Sequence, residues 1–182
     1  HGFGRDNMAP ANLAYTAIGT GLLFVGWMGF NAGSAWAADG IAAVAALNTI
    51  IAPAAAALGW MVIEWIDQRR PMPLGLLSGL VGGLVPLTPA AGFVDPKGAF
   101  LIGLIGGPAC YAGAVWLKRA LKYDDSLDAF GIHGVGGIVG AVLTGVFATA
   151  SINALSEGAD VVKQVLGLAA VMAWSAVGTF LV

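Results

Sequence analysis

Two groups of residues in this chain could do chemistry in apolar surroundings. His133 sits in DAFGIHGVGGIVGAVLTGVFATA, and no Lys, Arg, Asp or Glu interrupts the chain from Ala129 to Ser156. An ionisable side chain at membrane depth is costly unless it faces a bundle interior, a partner or a cavity, so His133 is a functional candidate by default. The second group lies on LLFVGWMGFNAGSAWAADG. There Leu23, Trp27, Phe30 and Ser34 are spaced four, three and four apart, which puts them on one helix face. Aromatic rings with a hydroxyl nearby suit a small cation, through ring quadrupoles worth about 0.5–2 kcal/mol each and a hydrogen bond. Each group has an ordinary alternative. A lone helical His is usually a hydrogen-bonded structural residue, and aromatics on a helix face mostly pack in a core or an interfacial belt.

These residues need a scaffold that crosses a bilayer, and the composition supplies one. Hydrophobic residues are 58% of the 182 and charged residues only 10%, against about a quarter charged in a soluble domain. The mean hydropathy is +0.85. Charges divide the chain into uncharged runs over 7–38, 40–63, 71–94, 98–117, 129–156 and 164–182. About 20 apolar helical residues span the hydrocarbon core, so the runs predict six transmembrane helices at about 12–35, 41–66, 74–92, 98–121, 129–150 and 162–182. No period-two alternation marks a barrel strand. The expected class is an all-α polytopic membrane protein, with 1–182 forming a single transmembrane domain. The chain opens on His1 and closes at Val182 within an apolar run, so a longer parent with further helices is expected.

Cation placement predicts orientation. Numbering the connections alternately puts Arg5, Arg69, Arg70, Lys118, Arg119 and Lys122 on one side, and Lys97 and Lys163 on the other. The richer side should be cytoplasmic. His133 then falls near the cytoplasmic start of the fifth helix and Ser34 at the outer end of the first. A net charge of −2, with no basic patch, argues against nucleic acid as a partner. The single cysteine, Cys110, reads as a small packed residue.

The remaining polar residues have structural readings. Asp128 is placed to cap the fifth helix, and Asp124 and Asp125 read as a solvated loop. Glu64 reads as the end of the second helix, beside an interfacial Trp65. Asn31, Asn48 and Thr49 suit interhelical hydrogen bonds. No second His, Cys or carboxylate has ligand spacing to His133, so neither metal nor cofactor is expected. Asp128 and His133, five residues apart, fall on different helix faces, which gives an intramembrane catalytic pair no geometry. Glycines recur at four-residue spacing at Gly75, Gly79 and Gly83, at Gly103 and Gly107, and at Gly136 and Gly140, a pattern that lets helix backbones approach closely. Pro53, Pro86, Pro89 and Pro108 fall within spans and should kink them.

GWMGFNAGSA, NTIIAPAAAALGWMVIEW, LGLLSGLVGGLVPLTPAAGFVDPKGA and YDDSLDAFGIHGVGGIVGAVLTGVFA together resemble the ammonium transporter family, in order and over the whole chain. The resemblance implies an eleven-helix protomer built from two inverted five-helix halves, a homotrimer with one pore per subunit, and a cytoplasmic PII-type regulator as a partner. This chain would supply the second inverted half-repeat and the last helix. His133 matches the second of the family's paired pore histidines, Phe30 one of two stacked phenylalanines, and Ser34 the serine of the outer recruitment site. Trp27 and Leu23 match residues near or along the pore. The other histidine and phenylalanine would belong to helices outside this chain. Trp36 departs from the pattern by its size. The implied function is conduction of ammonium or ammonia across the plasma (inner) membrane, not catalysis. The alternative is an ammonium sensor coupled to a signalling domain.

Overall fold

The computed structural model describes residues 8–182; Arg5 lies outside them. Six helices of membrane-crossing length form: α1 (Leu13–Gly33), α2 (Gly40–Gln68), α3 (Pro73–Ala90), α4 (Pro96–Leu121), α5 (Phe130–Phe147) and α6 (Val161–Leu181). No strand occurs among the described residues. Local chemistry explains most of the starts. Asn12, Asp39, Asp95 and Asp160 each accept a backbone N–H from the first turn of the helix that follows, which satisfies donors a helix otherwise leaves free. Pro73 and Pro96 open α3 and α4, where the missing N–H costs nothing.

The centre of the bundle is α2, α3 and α4, and glycine decides how close they come. A Cβ on Gly103 would collide with the Ala52 carbonyl, and one on Gly107 with the Ala56 carbonyl. Backbone therefore lies against backbone between α2 and α4. That contact gives dispersion and a snug seam where lipid provides no hydrophobic drive for association. A Cβ on Gly140 would likewise meet Pro86, joining α5 to α3. The helices absorb Pro53, Pro86 and Pro108 internally.

Buried amides tie the seams. Asn31 Nδ2 donates to Thr49 Oγ1 at 3.0 Å, joining α1 to α2. Asn48 Nδ2 donates to the Ala91 and Val94 carbonyls at 2.9 and 2.8 Å, holding the link between α3 and α4. Cys110 is fully buried, with the Gly82 and Ile132 carbonyls at 3.5 and 3.6 Å as alternative acceptors for its one weak S–H donor. Glu64 differs from expectation. The second helix runs on to Gln68, and Glu64 is only 3% exposed, its carboxylate accepting the Met72 N–H at 2.9 Å. It staples the α2–α3 turn because that turn's backbone donor needs an acceptor away from water.

Two helical stretches take the wider π geometry. Ala112–Leu117 in α4 and Phe130–Gly134 at the start of α5 are π-helical and face each other, with Gly113 against Gly131. Single π-turns inside α-helices often sit where a side chain must be re-aimed. Here the second one carries His133.

Candidate functional site

Asp128 does not cap α5; its own backbone is left-handed, with φ 55. The cap is Asp125, whose carboxylate accepts the Ala129 and Phe130 N–H groups at 2.8 and 2.9 Å and that of Gly131 at 3.4 Å. Asp128 instead pairs with Lys118 of α4. Burial holds its carboxyl above the ordinary range, with the Lys118 hydrogen bond and charge offsetting part of that. A single cap of this kind is worth about 1 kcal/mol. Asp125→Ala should therefore lower the melting temperature by about 2–4 °C, while Asp125→Asn keeps most of the difference; thermal unfolding in detergent measures both.

The start of α5 brings His133 against α1. Its imidazole lies 6.4 Å from the Trp27 ring, centroid to centroid, at an interplanar angle of 21°. Trp27 lies 14 residues into α1, about 21 Å along its axis at 1.5 Å per residue. His133 is thus near the start of its own helix but far along its neighbour, because α5 begins deep in the bundle. Trp27 also meets Phe30 edge to face at 5.8 Å and 84°. The spacing-based face is present, and it is open: Leu23 is 51% exposed, Phe30 60%, and His133 is exposed too.

Four cavities open on this face: one of about 510 Å³ is lined by Leu23, Trp27 and Phe30 among others, and the other three run in series. The first, about 350 Å³, is lined by Phe30, Asn31, Ser34, Asp39 and Thr88 among others. The second, about 440 Å³, is lined by Trp27, Phe30, Thr88, His133 and Gly137 among others. The third, about 460 Å³, includes Thr16, Leu23, Ser126, Asp128 and His133 in its lining. Phe30 is shared by the first and second, and His133 by the second and third. All five residues singled out by spacing, depth and resemblance lie on this track.

Asp128 and His133 share the third cavity, contrary to the expectation of separate faces. Asp128 precedes the helix rather than lying on it, so helical spacing does not govern the pair. Its carboxylate is committed to Lys118. The hydroxyl of Ser34 donates to the Phe30 carbonyl at 2.5 Å. With its one proton so placed, Ser34 Oγ has only lone pairs to offer the first cavity. Trp36, at φ 55 and 96% exposed, projects from the turn after Ser34. Thr88 is the residue that sequence reading missed. It accepts the Trp27 indole N–H at 2.8 Å, a contact across 61 positions that no local pattern carries.

Membrane-length helices, a glycine-packed core and a track of cavities on one open face define a multi-pass helical membrane protein. The chain belongs to the Ammonium Transporter Family, whose profile matches residues 2–182. An ammonium transporter of Bacillus subtilis is 46% identical over 183 residues, covering 96% of this chain and 45% of that protein. Among solved structures, Saccharomyces cerevisiae Mep2 superposes with a TM-score of 0.83 at 40% identity, covering 91% of this chain and 40% of the other. A structure described as a sensor Amt protein gives a TM-score of 0.83 at 30% identity, covering 91% and 42%. The chain spans less than half the length of the curated relatives it matches.

Proposed function

We propose that this chain forms one wall of a pore through which the full-length protein moves ammonium or ammonia across the plasma membrane. The observation that supports this most directly is the serial track, in which Phe30 and His133 divide three cavities. Ser34 and the aromatic rings take up ammonium at the outer cavity: the hydroxyl lone pairs accept an ammonium N–H, and the ring faces stabilise the charge. Carrying the intact ion through the apolar passage is prohibitive. Transfer of one proton to water at the open outer cavity removes that penalty, so neutral ammonia passes Phe30 and then hydrogen-bonds the His133 imidazole. Potassium has no proton to lose and is left behind. The positive-inside pattern puts Ser34 on the outside and Asp128 toward the cytoplasm. A homotrimer, and a PII-type regulator on the cytoplasmic loops, belong to the same reading.

A sensor would use the same track. The transporter reading is preferred because relatives in Bacillus subtilis, Aquifex aeolicus and Mycobacterium bovis, at 40–46% identity, are ammonium transporters. Its test is Ser34→Ala in the full-length protein. Removing one hydrogen bond to a charged group costs about 1.5–3 kcal/mol, so half-saturation for ammonium should rise tenfold or more with little change in maximal rate. An unchanged half-saturation in methylammonium competition would overturn the recruitment step.

A further inference from the structure

We propose that Thr88 is a positioning residue that masks the Trp27 indole and holds it flat beside His133, leaving the imidazole as the polar partner for ammonia in the middle cavity. The proposal rests on the pore reading above. Its evidence is a directed pair of hydrogen bonds. Thr88 Oγ1 donates its single proton to the Leu84 carbonyl at 2.8 Å. The hydroxyl can then only accept, and what it accepts is the Trp27 indole N–H, at 2.8 Å. The Leu84 carbonyl has a second lone pair for the hydroxyl proton beside the one that accepts the Thr88 N–H, and the chain turns 3-10 at Thr88–Ala90.

Position adds to geometry. Thr88 is half-buried and lines both the outer and the middle cavity. It therefore fixes the one ring that touches both Phe30 and His133. Without an acceptor at this place, the indole N–H would be an unmatched donor in an apolar cavity, which is costly. It would turn toward whatever acceptor was within reach, namely ammonia or a nitrogen of His133. Either competes with the hydrogen bond on which passage depends.

The experiment uses the full-length protein, normalised for membrane expression, with labelled methylammonium. Thr88→Val keeps the shape and removes the acceptor, so uptake should fall about five- to tenfold, the scale of one lost hydrogen bond. Thr88→Ser restores the acceptor and should return uptake to within about twofold. On a Trp27→Phe background there is no indole to hold, so Thr88→Val should change nothing further, the signature of coupled residues. Resonance Raman of purified protein reads the indole bond without flux. The Trp27 component, found by difference against Trp27→Phe, should lose its hydrogen-bonded signature in Thr88→Val and keep it in Thr88→Ser. Parental uptake in Thr88→Val, an equal loss on the Trp27→Phe background, or an unchanged indole signature overturns the proposal. A neutral His133→Ala sinks the pore reading instead, and the indole signature still decides whether Thr88 holds the ring.

Discussion

On the proposed pore reading, His133→Ala in the full-length protein is expected to cut methylammonium uptake by at least tenfold at equal membrane expression. The imidazole stands on the boundary between the middle and third cavities, stacked on Trp27. On that reading, ammonia arriving from the Phe30 side leaves behind its hydrogen bonds with water. On this wall the middle cavity is otherwise built from rings, aliphatic groups and a hydroxyl already engaged at both its proton and its acceptor side. A tenfold loss corresponds to about 1.4 kcal/mol at the barrier, near the low end for a hydrogen bond left unmade in an apolar site. Alanine also removes a ring from the stack, so the variant should discriminate less well against potassium. Uptake and selectivity both at parental values would remove His133 from the mechanism.

The second large effect concerns folding. Gly103→Leu should abolish recovery of well-folded protein, because even its Cβ collides with the Ala52 carbonyl across the α2–α4 seam. Overpacking a core costs about 1–3 kcal/mol when side chains can yield. Here the opposing group is backbone, so the helices themselves must part, and Asn48 and the Glu64 staple lose their partners as α2 moves. Gly178 in α6 is the control, having nothing within 4 Å of a built Cβ. Gly178→Ala should leave melting unchanged or raise it, since Ala is about 1 kcal/mol the better helix former. Melting followed in detergent separates the two, and a parental melt for Gly103→Leu would refute the close seam.

How far the sequence could be read depended on whether each feature is local. The six helices were legible because apolar runs and their bounding charges report directly on bilayer thickness. The α1 face was legible because Leu23, Trp27, Phe30 and Ser34 follow helical spacing. Its encounter with His133 was not, since that depends on how deep α5 begins and on a π-turn that no residue preference announces. Asp125 and Asp128 were exchanged for a related reason. Both are good caps by residue type, and the choice was made by the left-handed turn at Asp128 and by Lys118 on another helix. Thr88 was invisible because its meaning lies in one indole far away in the chain.

The facing π-turns constrain how this chain can gain or lose residues. Each turn holds a residue more than the α-helix would. Deleting one within 130–134 lets the turn revert and rotates everything before it by about 100°. Asp128 would swing away from Lys118. The bulge over 112–117 would then press on a partner that no longer recedes, because Gly113 and Ala114 lie directly on Gly131. A one-residue deletion at either turn should therefore disturb the close Gly113–Gly131 packing. Two stretches that belong to different helices thus meet as one packed unit.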